Sequence, residues 1–298
     1  MEGSLGIVGA SGFIGRELAR QATATGWKVC GFSRQARGPE AGIPAWREWS
    51  DRPDFRGLTA LVNLAGEPIN KRWTTGNKQR FHESRIGVTE TLRRGVEKLP
   101  HQERPQVLVN SSAVGIYGDR GDEILEDDAD VGGGYLAQLC RDWEAAADGV
   151  AELGLRVMKW RTGVVLGREG AAFKQMTLPF RLGVGGKLGS GKQWMPWIHV
   201  EDLVGSMLHG IGHASLAGPI NGSAPEPERN EDFTRKLAKA LKRPAFMAVP
   251  PFALKLALGG FSEAALSSER AVPRALLESG YRFHYPTLEM ALAELVAS

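Results

Sequence analysis

Apolar residues along the chain fall into two alternating rhythms. Short runs at Leu5-Gly6-Ile7-Val8, Trp27 to Phe32, Ala60 to Leu64, Pro105 to Asn110 and Leu155 to Trp160 are bounded by glycine, proline or polar residues, as strands buried on both faces are. Between them apolar positions recur with helical spacing. One helix is predicted from Gly15 to Thr25, closed by Gly26, and a second carries Phe81, Ser84, Arg85, Val88 and Leu92 on one face. A third runs from Tyr135 to about Leu153, with Leu136, Leu139, Trp143, Ala146 and Val150 on its apolar side. Another begins near Ile198, with Glu201 and Asp202 suited to its first turn, and Pro219-Ile220-Asn221-Gly222 reads as a further short strand. Strands alternating with helices predict an α/β fold, a Rossmann-like doubly wound parallel sheet.

Three stretches depart from that rhythm. Pro39 to Asp54 reads as a loop rich in proline and tryptophan, and Ala171 to Trp197 shifts to glycine and aromatics. The tail from Asn230 carries two or three helices broken at Pro250-Pro251 and Pro273, with Leu288, Ala291, Leu292 and Leu295 on one face of the last. The expected division is a Rossmann domain over residues 1–170, with 198–222 returning to it. Residues 171–197 and 223–298 form a smaller mixed α/β substrate lobe.

Composition narrows the function class without naming it. The formal charge of +3 over 298 residues, with no lysine or arginine run, gives no footing for nucleic acid and suits a small anionic ligand. Cys30 and Cys140 lack metal-ligand spacing and read as buried apolar thiols. The six histidines contain only one pair at helical spacing, His209 and His213, so no metal is expected. No apolar run is long enough for a membrane span, and a motif starting at Gly9 leaves no room for a leader, so the chain is expected to be cytoplasmic. It is expected to act as a monomer or homodimer.

The first strand runs into Gly9-Ala10-Ser11-Gly12-Phe13-Ile14-Gly15 and then a helix. Gly9 can take a dihedral closed to other residues, Gly12 lets backbone approach a pyrophosphate, and Gly15 lets helix pack on strand. The free N–H groups of the helix start then face an anion. After the second strand come Ser33 and Arg34, where an NAD-preferring site would place an acidic residue. Arg34, with Ser33, is therefore expected to meet the 2′-phosphate of NADP(H). Small residues at Ala65 and Gly66 permit close approach of the cofactor, and hydroxyls at Ser111 and Ser112 sit where open sheets bind ligands. Arg85 points either into this cleft or into water.

These segments together resemble the extended short-chain dehydrogenase/reductase superfamily, in particular its atypical branch of YfcH-type epimerase family proteins. The resemblance covers nearly the whole chain. It is carried by GASGFIG at Gly9 to Gly15, NLAGEPI at Asn63 to Ile69, Arg72-Trp73, Ser84-Arg85, SAVGIYG at Ser112 to Gly118, RTGVVLG at Arg161 to Gly167, the long run from Leu178 to Leu203, NGSAP at Asn221 to Pro225, and Gly280-Tyr281 with Tyr285-Pro286. It implies an NADP(H) site drawing on Gly9, Ser11, Gly12, Phe13, Ile14, Gly15, Ser33, Arg34, Leu64, Ala65, Gly66, Glu67, Arg85, Ser111 and Arg161. For chemistry it implies a tyrosine as general acid/base, a serine or threonine on the same substrate oxygen, and a lysine four residues after the tyrosine.

Tyr135 and Ser112 are the candidates here, with Ser111 as understudy, but Leu139 stands where the lysine belongs. Tyr135 is thus either the acid/base or an aromatic that packs on the cofactor. Tyr117, Arg181, Gln193, Trp197 and His199 are candidate substrate contacts, each also readable as packing, and for His199 the reading as a loop-fixing hydrogen bonder comes first. Two functions stay open: an NADP(H)-dependent oxidoreductase or epimerase on a small carbonyl or sugar-like substrate, or an NADP(H)-binding regulatory protein whose catalysis has decayed.

Overall fold

A computed structural model describes residues 3–297. Seven strands, β1 (Ser4–Val8), β2 (Lys28–Ser33), β3 (Ala45–Glu48), β4 (Ala60–Asn63), β5 (Val107–Ala113), β6 (Arg156–Thr162) and β7 (Gly218–Gly222), form a wholly parallel sheet in the order β7-β6-β5-β4-β1-β2-β3. The order reverses between β1 and β4, which opens a crevice at their carboxyl ends, the place where such sheets take ligands. The Rossmann-like α/β fold expected from the hydrophobic rhythm is the one found.

Helices cover both faces. α1 (Phe13–Ala24) and α6 (Val200–Gly212) bury Leu18, Ala22, Leu203 and Met207 against Ile7, Val62, Val109 and Trp160. On the other face α3 (Val88–Glu97) and α4 (Tyr135–Ala151) bury Leu92, Val96, Ala147 and Val150 against Leu61, Leu108 and Val157. A separate apolar cluster joins α5 (Ala171–Arg181), α7 (Asn230–Leu241) and the last helix through Phe173, Phe180, Trp197, Phe233, Leu288 and Leu292.

The structure corrects several boundaries. Residues 39–54 are not all loop: β3 pairs with β2 at the sheet edge, Phe32 opposite Arg47. The helical face around Arg85 is two helices, α2 (Thr75–His82) and α3, joined through a π-helical segment at Glu83–Gly87. The tail after α7 holds four further helices, α8 (Pro251–Leu258), α9 (Phe261–Leu266), α10 (Arg274–Glu278) and α11 (Leu288–Val296), more than its prolines suggested. Short strands stitch this tail to the first half, Arg270–Ala271 pairing in parallel with Ile124–Leu125.

Candidate functional site

The glycine loop between β1 and α1 is built to receive something close to its backbone. Gly9 has φ +83°, and a Cβ there would stand 3.0 Å from the Leu64 carbonyl. A Cβ on Gly15 would come within 2.3 Å of the Gly9 oxygen, whereas one on Gly12 would meet the same oxygen at 3.2 Å, a tight contact rather than an overlap. Gly15 is thus small for packing within the protein, and exposed Gly12 for something outside it. No side chain caps α1, so its first N–H groups are open to an anion. This cradle fits the pyrophosphate of a dinucleotide. Ser11 is exposed and its carbonyl accepts from Arg16 at 2.8 Å, while Phe13 and Ile14 turn inward, Phe13 against Gly167 and Ile14 onto the sheet core.

At the end of β2 the Arg34 side chain is exposed and makes no ion pair among the described residues, while Ser33 Oγ accepts from Gln35 N at 3.2 Å. Arg37 is committed elsewhere, paired with Glu40 at 2.8 Å and set over Trp46. Across the crevice, the loop after β4 is fixed by its neighbours. Leu64 N donates to Val8 O, Ala65 N donates to Asn63 Oδ1, and Glu67 N donates to Ser84 Oγ.

Arg85 does not point into water. Its guanidinium lies against Gly66, donates to the Glu67 carbonyl at 3.0 Å and sits over Trp143. The π-helical segment aims Ser84 and Arg85 together at Glu67, an extra helical residue re-aiming side chains as such segments often do at functional sites. Burial lowers the Arg85 pKa. The Glu67 carboxylate pairs with Lys71, and that bond holds its pKa below the ordinary range against a smaller effect of burial.

Tyr135 opens α4, and Leu139 one turn on is buried with Phe81, Ile86 and Trp143, an apolar setting that leaves the lysine position no polar role. Positive charge reaches the phenol from other elements: Lys78 Nζ lies 4.4 Å from the ring centroid, and Arg85 acts on the hydroxyl electrostatically. Burial nonetheless dominates and raises the Tyr135 pKa, with Arg85 opposing it. The hydroxyl is buried and has no hydrogen-bond partner in the protein. Such an orphan is unusual, and among the described residues it is shared only by the indole nitrogens of Trp46 and Trp160.

Ser112 is not beside Tyr135's hydroxyl. The period-two alternation of β5 turns it with Leu108 and Asn110 toward α4, where its hydroxyl donates to Glu144 Oε1 at 2.7 Å. Ser111 and Ala113 occupy the opposite, partly open face. Arg161 is likewise drawn away from the crevice into a buried network: it forks onto Glu144 at 2.9 and 3.0 Å and donates to Tyr117 Oη and the Asp127 carbonyl at 3.0 Å. Tyr117 in turn donates to Asn221 Oδ1 at 2.7 Å, and burial raises its pKa. Three candidates are therefore spent in one buried network, Ser112 and Arg161 on Glu144 and Tyr117 on Asn221.

The remaining substrate candidates diverge. Arg181 is exposed at the end of α5. Gln193 is buried and donates to Leu188 O at 3.1 Å, and Trp197 is fully buried with its indole bonded to Glu226 O. His199 caps α6, accepting from Glu201 N at 3.3 Å, and its other nitrogen lies 3.2 Å from Glu294. Among the described residues no group of three or more His, Cys, Asp or Glu is placed to hold a metal, and no helix is long and apolar enough to cross a membrane. Sequence reasoning missed Lys78 and the buried Asn63–Thr89–Asn110 bonds that lock β4 and β5 to α3; nothing in their spacing singles them out.

The defining pattern of the NAD dependent epimerase/dehydratase family matches residues 5–220, and that of a domain of unknown function, DUF1731, matches residues 249–295. The chain is 36% identical to the chloroplastic epimerase family protein SDR39U1 homolog of Arabidopsis thaliana, over 98% of this chain and 86% of that one. It is 34% identical to the epimerase family protein YfhF of Bacillus subtilis, over 99% and 98%. The human epimerase family protein SDR39U1, solved with NADPH, superposes with a TM-score of 0.89 at 32% identity, covering 98% of this chain and 99% of that one.

Proposed function

The chain belongs to the NAD-dependent epimerase/dehydratase family, and on that premise we propose that it is an NADP(H)-dependent oxidoreductase, or an epimerase working through transient oxidation, on a small carbonyl or sugar-like substrate. The observation that carries the reading is the orphaned Tyr135 hydroxyl at the start of α4, on which Arg85 acts electrostatically and whose ring lies under Lys78. NADPH in the human relative's structure and the free Arg34 beside Ser33 support the phosphorylated cofactor.

A bound nicotinamide supplies a hydride to the substrate carbon. Tyr135 is the proton donor to the oxygen on that carbon. Because burial raises its pKa, the phenol is protonated near neutral pH, which suits donation to a carbonyl better than withdrawal from an alcohol. Arg85 and Lys78 then stabilise the phenolate left behind, the part a lysine on α4 would otherwise take. Single-turnover mixing of the NADPH-loaded protein with a panel of carbonyl compounds tests this. Tyr135→Phe is expected to lower the rate by at least about 100-fold, the scale of general-acid catalysis, with NADPH binding unchanged. Oxidation at the wild-type rate in the variant refutes the assignment, and failure of the whole panel favours the regulatory reading, for which buried Leu139 is the argument.

Arg34→Glu is expected to weaken NADPH binding about 10- to 100-fold, the scale on which a repulsion replaces one charge-assisted hydrogen bond. NADH binding should change little. Fluorescence titration with both cofactors checks this, and equal weakening of the two rejects the role of Arg34.

A further inference from the structure

A cavity of about 390 Å³ opens beside Tyr135, between the first turn of α4, the Gly115–Asp119 loop and the segment from α9 to Glu269. Its walls include Trp73, Tyr135, Leu136, Asp119, Glu263 and Glu269, and no lysine or arginine. Glu269 is the unexpected member. It lies in the carboxyl-terminal region, beyond every segment read as chemical from the sequence, and has no ion-pair partner among the described residues. Its backbone is nevertheless firmly placed: Glu269 N donates to Trp194 O at 3.2 Å, and Ser268 accepts from Trp194 N at 3.0 Å and donates to Gly121 O at 2.6 Å. The neighbouring Arg270 is turned onto the Trp194 ring, 4.4 Å from its centroid, and is unavailable to neutralise the carboxyl.

A firmly held carboxyl without a cation partner, on the wall of a cavity that Tyr135 also lines, is an arrangement that folding alone does not favour. We propose that this cavity is the substrate site and that Glu269 is its anchoring residue, selecting a small neutral or amine-bearing polyhydroxylated compound and rejecting phosphate-bearing ones. The proposal rests on the reading of Tyr135 as the residue that meets the substrate oxygen. The volume sits at the low end of ligand pockets, roughly 300–1,000 Å³, and suits a compound of a few carbons. Its walls offer the carboxylates of Asp119, Glu263 and Glu269 as acceptors to hydroxyls or to an ammonium, whereas a phosphate would meet those three groups against Lys78 over the Tyr135 ring and an Arg85 already bonded to the Glu67 carbonyl.

The state of Glu269 adds a pH signature. Burial pushes its pKa up to about 7, the Ser267 hydroxyl works against the shift and the Asp119 carboxylate adds to it. Glu263 from α9 and the protonated Tyr135 from α4 are the other titratable groups on the cavity wall. Glu269 is thus a neutral donor below about pH 7 and an anionic acceptor above it, so an amine should be held more tightly as pH rises. The same shift opposes folding: the folded protein keeps the proton that the unfolded chain releases near its ordinary value, so the destabilisation begins above that value, 4.5, and is complete above about 7.

Saturation-transfer NMR with sorbitol, glucamine and sorbitol 6-phosphate, run with and without NADPH, tests the proposal. The expected result is binding of the first two, at least about tenfold tighter than of the phosphate, and a gain for glucamine between pH 6 and pH 8. Glu269→Gln should erase that gain and show a melting temperature that rises relative to wild type over the same interval. Glu269→Lys should admit the phosphate. Binding of sorbitol 6-phosphate as tight as sorbitol, no signal from any of the three, or a preference unchanged in Glu269→Lys overturns it. Hydride transfer plays no part in this readout, so an error in the oxidoreductase reading shows separately, as absent NADPH oxidation with the binding preference intact.

Discussion

Arg161→Met is expected to destabilise the protein by about 3–5 kcal/mol, the cost of leaving a buried carboxylate without its cation. Arg161 and Glu144 have side chains only 6% and 7% exposed, joined through both guanidinium and both carboxylate edges. Burial disfavours the Arg161 charge, yet the bonds from Glu144 and Tyr117 outweigh it and its pKa ends raised. Removing the guanidinium strands Glu144, whose remaining partner is the Ser112 hydroxyl, and also strips the Asp127 carbonyl and Tyr117 of a donor. Arg161→Lys should recover only part of the stability, because one ammonium cannot fork onto two oxygens. The double variant Arg161→Met, Glu144→Leu should recover most of it, since no charge is then buried alone. Urea unfolding of these four proteins and of the single variant Glu144→Leu measures this; additive single effects of Arg161→Met and Glu144→Leu would mean that the pair is not coupled.

The second large effect separates fold from cofactor. Gly15→Ala should destabilise by about 1–3 kcal/mol, because its Cβ meets backbone, the Gly9 oxygen at 2.3 Å and the Ala10 Cα at 2.7 Å, which cannot swing aside. Gly12→Ala, whose Cβ meets nothing nearer than the Gly9 oxygen at 3.2 Å, should lose less stability than Gly15→Ala and yet bind NADPH about tenfold or more weakly. Chemical unfolding and cofactor titration on both variants give the comparison. Retained affinity in Gly12→Ala would remove the glycine loop from the pyrophosphate site.

The glycine loop was legible because each glycine answers a local geometric need that three residues of spacing express. α4 was legible too, and with it the meaning of Leu139, which lies in the apolar cluster its helical position implies. What escaped the sequence was set by distant partners. Ser112 follows the expected motif, yet strand alternation turns it to Glu144, 32 residues away. Arg161 reads as a site residue through the family resemblance and Tyr117 through its place in a strand-end loop, and the residues that consume them come from α4 and β7. β3 was hidden because a four-residue edge strand with no buried position has no apolar rhythm to show. The π-helical turn that aims Arg85 leaves helical spacing nearly intact and so gives no signal.

The stitching of the tail into the first half has a consequence for synthesis. Asp127 accepts from Asn221 N, 94 residues later, and from Ala275 N, 148 residues later. Fully buried Asp202 accepts from the backbone of His284 and Tyr285, 82 and 83 residues on. Two carboxylates that are buried in the folded protein therefore lack these donors until almost the whole chain has left the ribosome. The parallel sheet can assemble during translation only as an unlocked intermediate, and the segment from Arg270 to Tyr285 acts as its latch. A nascent chain stalled before Ala275 should accordingly be cut by protease more readily within the Asp119–Asp130 loop, which Ser268, Ala271 and Ala275 pin in the finished protein.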